Sequence, residues 1–386
     1  LRAYYWLRTD VSAPAQAATA MADLEQARSH LESGEIDAAQ ELLAPIVERT
    51  DDPSVTPGAL LLEAKLETQA GRKEQALALL TRAAETYPQS PHHPEVLLEQ
   101  GKVLAELGRC DEAAPQFERL RDTAPPEIRP AALLGLGTCR QAAGELVAAR
   151  DLYQEAVRQA PWNSATWNEA LDALGEANVA LIFAPAETPE SKAYLVEPGD
   201  NLTSIGIKLN TTQGLLTRAN GIDDPSTLRP NQRLKYTPKD FRIVVERSTC
   251  RLFLLDKDGI FKRYRVGLGM PGYETTPGRY TIGNKQKDPT WFKPGAGPIP
   301  PGDPKNELGT RWMPLVPVEE GLPSDLGIHG TIAPETIGHY KSHGCPRMHK
   351  EDVEELYDLV VRSTPVEIVE TIDPENLSPV SGPQPA

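Results

Sequence analysis

Ile328-His329-Gly330-Thr331, followed by Ser342-His343-Gly344-Cys345-Pro346-Arg347-Met348, sets one thiol among imidazoles and backbone amides. A thiol with an unperturbed pKa near ~8.5 is only slightly ionised at neutral pH, so a nucleophilic cysteine needs a partner that takes its proton. His329 and His343 are the candidates. His343 is two residues from Cys345 and, on an extended segment, shares its face without freedom to approach the sulfur, whereas His329 sits on a separate segment. Gly344, just before the thiol, lets backbone approach a bound carbonyl, so the amides of Gly344 and Cys345 could donate to an oxyanion. A buried structural cysteine beside a turn glycine is the competing reading of so short a motif.

The wider pattern favours chemistry. Together with Ile337-Gly338, Thr276-Pro277-Gly278, Pro289-Thr290-Trp291, Leu308-Gly309-Thr310-Arg311-Trp312-Met313 and Glu351-Asp352-Val353, the two segments resemble the L,D-transpeptidases of the YkuD type over roughly residues 240 to 370. The resemblance implies a mainly β catalytic domain with Cys345 as nucleophile and His329 as its base, oriented by the Gly330 carbonyl. It places the oxyanion hole at the amides of His343, Gly344 and Cys345, and the substrate near Arg347, Ser342, Trp312 and Met313. Arg347 has two open roles, favouring the thiolate or anchoring a substrate carboxylate. Gly330 departs from the serine common at that position, which a main-chain role tolerates. No metal or cofactor is required.

Composition sets the surroundings. A chain of 386 residues exceeds one ordinary core. Its net charge of −15 argues against a nucleic-acid partner. The 36 prolines, about twice the ~5% norm, cluster where domains join or end. No apolar run approaches the ~18 residues of a membrane span. Arg2-Ala3-Tyr4-Tyr5-Trp6-Leu7-Arg8 is an aromatic and basic cluster that suits either the flank of a removed signal or membrane anchor upstream of Leu1, or a trimmed terminus without membrane role.

Gly34, Gly71, Gly108 and Gly144 recur at intervals of 37, 37 and 36 residues, each between two apolar-periodic segments, as in Gly71-Arg72-Lys73-Glu74-Gln75-Ala76. The pattern resembles tetratricopeptide hairpins with the glycine at the turn: an amino-terminal hairpin, three more, then a capping helix from about Trp167 to Leu181. Such an array offers a concave face to a protein partner, or serves as a spacer. Cys110 and Cys139 fall on helices that neighbour in such an array, and a disulfide between them is expected in an oxidising compartment, against two unpaired small core residues.

Tyr194-Leu195-Val196-Glu197-Pro198-Gly199-Asp200-Asn201-Leu202, then Ile205, Leu215, Asn220, Leu228 and Asn231-Gln232-Arg233-Leu234, resembles a LysM module of βααβ order. The resemblance implies binding of N-acetylglucosamine-containing glycan such as peptidoglycan, at two loops: Gly199, Asp200, Asn201, Leu202 and Thr203, and Asn220, Gly221 and Ile222.

The expected organisation is multidomain: a flexible leader at 1–18, an all-α tetratricopeptide-like helical repeat array at 19–182, a linker at 183–192, the LysM module at 193–238, the catalytic domain at 240–370 and a disordered tail at 371–386. In the catalytic part, strands are expected at Arg242–Glu246, Arg251–Leu255, Phe261–Val266 and Gly278–Ile282, one helix at Glu351–Arg362, and a proline- and glycine-rich loop at Lys293–Pro304, over the site or as a plain connection. The expected function is peptidoglycan L,D-transpeptidation through a thioester at Cys345, acting on glycan-linked stem peptides in the periplasm or envelope of a bacterium. An L,D-carboxypeptidase or other cysteine hydrolase, and a non-catalytic wall-binding scaffold, are the alternatives.

Overall fold

The computed structural model describes residues 12–49, 52–292, 295 and 297–377, which fall into two compact units, one up to Ala170 and one from Leu171. The first unit is built of antiparallel helix pairs: α1 (Ser12–Glu32) with α2 (Ile36–Arg49), α3 (Thr56–Gln69) with α4 (Lys73–Thr86), α5 (His93–Glu106) with α6 (Cys110–Thr123), and α7 (Arg129–Ala142) with α8 (Leu146–Gln159). A ninth helix, α9 (Ala165–Phe183), follows.

The recurring glycines end the first helix of each pair. Gly34, Gly71, Gly108 and Gly144 have φ between +75° and +80°, and the following amide reaches back five residues, as in Arg72 N–H to the Glu67 carbonyl at 2.8 Å. Nothing lies within 4 Å of where a Cβ would stand on any of them, so left-handed backbone, not space, demands glycine. Five residues on, Ala39, Ala76, Ala113 and Ala149 are fully buried where the helices cross. Leu43, Leu80, Phe117 and Tyr153 take equivalent core positions. The larger rings of the last two need room, which Gly101 and Gly135 leave for Phe117 and Gly137 for Tyr153.

Within the second unit, β1 (Lys192–Leu195) and β2 (Arg233–Tyr236) pair antiparallel and enclose α10 (Leu202–Lys208) and α11 (Gln213–Asn220), around a core of Val196, Leu202, Ile205, Leu216 and Leu234. The remainder starts with β3 (Arg242–Glu246), β4 (Arg251–Asp256), β5 (Gly259–Arg265), β6 (Leu268–Gly269), β7 (Gly278–Ile282), β8 (Gln286–Lys287), β9 (Trp291–Phe292) and β10 (Pro298–Ile299). It continues with β11 (Arg311–Pro317), β12 (Gly327–His329), β13 (Tyr340–Ser342), α12 (Lys350–Leu359) and β14 (Pro365–Val369). The main sheet runs β12-β11-β7-β14-β3-β4-β5, with β8 on β11 and only β14 against β3 parallel. Alternating apolar residues of β3 to β5 build one wall of its core; α12 seats Val353, Leu356 and Leu359 on it.

Two terminal expectations change. Helix α1 starts at Ser12, inside the stretch expected as a flexible leader, because the alanine-rich run after Pro14 favours helix; residues 1–11 lie outside the described residues. At the other end, Ile372 and Leu377 are buried, the Ile372 amide donates to Glu246 Oε1 at 3.0 Å and Arg242 donates to the Asn376 carbonyl at 2.6 Å. The stretch through Leu377 therefore packs on the sheet rather than forming a free tail; 378–386 lie outside the described residues.

Candidate active site

The site forms where two separated segments run side by side. His329 ends β12, and the chain from Cys345 to Met348 lies parallel to it: the His329 amide donates to the Pro346 carbonyl at 3.2 Å and the Met348 amide to the His329 carbonyl at 2.9 Å. Arg347 is bridged on its other side to Gly267, with both amide–carbonyl distances 2.8 Å. The loop carrying the thiol is thus laced to two neighbours, which holds Cys345 in place without a helix or strand of its own.

His329 is 3% exposed and its Nδ1 meets the Gly330 carbonyl at 2.7 Å, as expected for an imidazole fixed by that main-chain oxygen. Nδ1–H donating there leaves Nε2 as the basic nitrogen, and the ring also hydrogen-bonds the Glu307 backbone. Trp312, directly opposite in β11, tilts over the ring at 5.6 Å between centroids. Its indole fills the space a side chain on Gly327 would take. Burial, and secondarily the Arg347 charge, lower the His329 pKa to about 4. The Cys345 thiol is pushed up to about 11, mostly by burial, against the Gly327 backbone and Arg347, which favour thiolate. Its Sγ lies 3.9 Å from the Asp325 carbonyl. At neutral pH the resting pair is a neutral thiol and a neutral imidazole.

His343 is exposed, with its ring edge-on to Tyr273 at 5.0 Å between centroids. Gly344 has φ +110°, and its carbonyl accepts from Thr275 Oγ1 at 2.6 Å. Thr275 Oγ1 in turn accepts from the Gly269 amide at 3.0 Å. The expected oxyanion hole needs one change: the Gly344 amide already donates to the buried Ser342 Oγ at 3.2 Å. The amides of His343 and Cys345 have no backbone acceptor among the described residues.

Four of the expected contacts have other duties. Met313 is fully buried in the core, paired with Ile328, and offers no surface to a substrate. Ser342 is buried and spent on the Gly344 amide. Arg347 Nη2 pairs with Glu307 Oε2 at 2.9 Å, so its charge is shared inside the site, and its buried Nε lacks a partner among the described residues. Trp312 supports the histidine ring. Thr275, Glu307 and Asp325 were not singled out by the sequence. Thr275 adjoins the Thr276-Pro277-Gly278 motif, which was the available signal; the other two lie on loops without a pattern.

At the LysM loops, Leu202 is a core residue and is corrected from sugar contact to packing. Asp200 receives the Tyr194 hydroxyl at 2.7 Å and Lys208 Nζ at 2.8 Å, Asn201 caps α10, and Asn220 bonds both the amide and carbonyl of Lys235. Gly199, Asn201, Thr203 and Gly221 remain exposed, with Ile222 half-buried. In the helical unit Cys110 and Cys139 do meet, but as free thiols, and the expected disulfide is not formed. Burial, then the Cys110 contact, push the Cys139 thiol up to about 12.

Sequence comparison matches residues 240–368 to the L,D-transpeptidase catalytic domain, 194–237 to the LysM domain, and 24–91 and 98–164 to tetratricopeptide repeats. A putative L,D-transpeptidase YkuD of Bacillus licheniformis is 30% identical over 192 residues, 45% of this chain and 97% of that protein. A putative L,D-transpeptidase YqjB of Bacillus subtilis is 30% identical over 134 residues, 34% of this chain and 73% of that one. Among solved structures, an L,D-transpeptidase from Mycobacterium smegmatis aligns with 36% of this chain at 12% identity and TM-score 0.28; the chain spans 63% of its length.

Proposed function

The chain belongs to the L,D-transpeptidase family, and from that premise we propose that it transfers an acyl group within bacterial peptidoglycan through a thioester on Cys345. The supporting observation is the pairing of β12 with the Cys345–Met348 segment, which sets a buried imidazole, held by the Gly330 carbonyl, beside the thiol loop.

The reaction has two halves. Cys345 Sγ attacks the carbonyl carbon of the diamino acid in a stem tetrapeptide while its proton passes to His329 Nε2. Because the thiol sits at about 11 and the imidazole at about 4, proton transfer belongs with attack and not before it. The negative charge on the carbonyl oxygen is met by the amides of His343 and Cys345. Removing one such donor typically costs ~3 kcal/mol. His329 returns the proton to the departing amine of D-alanine, leaving the thioester. An acceptor amine then attacks it, gives a proton to His329, and the thiol regains one on release.

The LysM domain would hold the glycan and the repeat array a protein partner, at the cell envelope. No helix among the described residues is long and apolar enough to cross a membrane. The test is mass analysis of products from a disaccharide-tetrapeptide, with and without an added amine. The proposal requires D-alanine release and an amine-linked tripeptide product. Release with only free tripeptide would make the protein a hydrolase, and no release would set the enzyme reading aside.

A further inference from the structure

A cleft of about 800 Å³ lies inside the second unit, between the LysM module and α12. One wall is the α10–α11 connection, from Asn210 to Gly214, and the other carries Lys285, Lys287, Arg311, Tyr357, Asp358 and Arg362. The walls are fastened together. The Thr212 hydroxyl donates to the Asp358 carbonyl, Arg218 meets Asp358 Oδ2 at 3.4 Å, and Gly214 lies so close to that carboxylate that no Cβ would fit.

The charge of this cleft runs against the chain. In a protein of net charge −15, four cations line it against one carboxylate, Asp358, which Arg218 already neutralises in part. Lys287 and Arg362 are exposed and have no carboxylate partner among the described residues. Arg311 Nη1 donates to the Thr310 carbonyl at 2.8 Å and lies 3.6 Å from Glu354 and 4.0 Å from Asp288, while its buried Nε has no acceptor there. Lys285 is turned onto the carbonyls of Tyr357 and Val360, at 2.6 and 2.5 Å. Low dielectric walls with unspent cations concentrate anions.

The cleft also leads towards the chemistry. Lys287 pairs with Arg311 across β8 and β11, and the Arg311 carbonyl accepts from the Gly330 amide at 3.3 Å. The next residues, Asp288 and Thr310, line a second cavity of about 290 Å³ that also contains Gly330 and Thr331. A ridge two residues wide therefore separates the basic cleft from the segment that fixes His329.

We propose that the cleft between the LysM module and α12 binds a carboxylate-bearing peptidoglycan strand through Lys287, Arg311 and Arg362, so that a stem peptide crosses the Lys287–Arg311 ridge to the active site. This rests on the function proposed above. Carboxylate is favoured over a phosphate polymer because a LysM domain forms one wall and an L,D-transpeptidase domain the other, and the stem peptides of the polymer these domains share carry free carboxylates. Guanidinium forks suit such groups.

The test measures binding to the full-length Cys345→Ala chain, so that turnover plays no part, using fluorescent glycan strands several disaccharides long with free or amidated stem-peptide carboxylates. The expected result is at least tenfold tighter binding of the free-carboxylate strand, and loss of that preference in a Lys287→Glu/Arg362→Glu chain whose melting curve is unchanged. Equal affinity for both strands would overturn the proposal, as would a preference that survives the double substitution. Displacement by a glycerol-phosphate polymer at equal concentration would assign the cleft to phosphate instead. A chain that binds as expected but never releases D-alanine would sink the proposed function and leave the cleft standing.

Discussion

Glycine does opposite work at the turns of the helical array and beside the active site of the catalytic domain. At Gly71 the backbone is left-handed and the space beside it is empty, whereas at Gly327 and Gly269 the space is taken, by the Trp312 indole and by the Tyr273 carbonyl. The array's turn glycines serve conformation at a point that repeats; Gly327 and Gly269, like Gly101, Gly135 and Gly137 inside the array's helices, serve close approach at points that occur once. The first kind of demand is local and periodic, and the second depends on residues far along the chain. The same contrast predicts which glycines tolerate substitution and which do not.

The largest expected effect is chemical. Cys345→Ala should lower transpeptidation by about 10⁴-fold or more while leaving the melting temperature of the chain near that of wild type. Activity persisting in that variant would break the contrast at its root, since the single-occurrence residues would then not be the functional ones.

Next comes packing. Gly327→Ala puts a methyl into the Trp312 ring and should destabilise the catalytic unit by about 3 kcal/mol, read by chemical denaturation. A loss below about 1 kcal/mol would mean that Trp312 moves aside freely and does not support His329.

Thr275→Val keeps the volume and removes the hydroxyl that receives the Gly269 amide and donates to the Gly344 carbonyl. It should reduce kcat about 10-fold with KM little changed, because the loop bearing the amides proposed for the oxyanion loses its anchor while substrate contacts stay. An equal change in KM would point to a substrate contact instead.

Acidity gives a sharper mark. His329 is held near 4 when folded against about 6.5 when unfolded, so the unfolded chain binds more protons between those values. Its contribution to stability is complete above pH 6.5 and is lost as pH falls towards 4, and the acid limb of kcat/KM should lie near pH 4. A limb near 6.5 would contradict a buried, neutral imidazole.

The smallest effect belongs to the array. Gly71→Ala meets no atom and should cost only about 1 kcal/mol through its positive φ, leaving catalysis unchanged. A cost as large as that of Gly327→Ala would erase the comparison.

Legibility followed the same division. The hairpins could be read because Gly34, Gly71, Gly108 and Gly144 announce themselves by interval, and Ala76 and Ala113 follow at fixed offsets. Strands β3, β4 and β7 could be read from alternation and β-branched runs. Strand β11 was legible only as a motif, because Pro314 and Pro317 disguise a strand that pairs with β7, β8 and β12. Cys345 and His329 stood out through a resemblance carried by several motifs in order. What the sequence hid was how the neighbours are used: Met313 turned inward, Ser342 took the Gly344 amide, and Glu307 came across to Arg347 from forty residues away. Those pairings arise from three-dimensional proximity and leave no periodic trace.

The central claim is a covalent one, and intact-protein mass spectrometry after brief mixing with a disaccharide-tetrapeptide, without acceptor, tests it most directly. The account predicts an adduct equal to the substrate less D-alanine on the wild-type chain, mapped to Cys345, absent in Cys345→Ala and slow to form in His329→Ala. D-alanine release with no adduct on Cys345 in a rapidly quenched reaction, or the same adduct on Cys345→Ala, would contradict it.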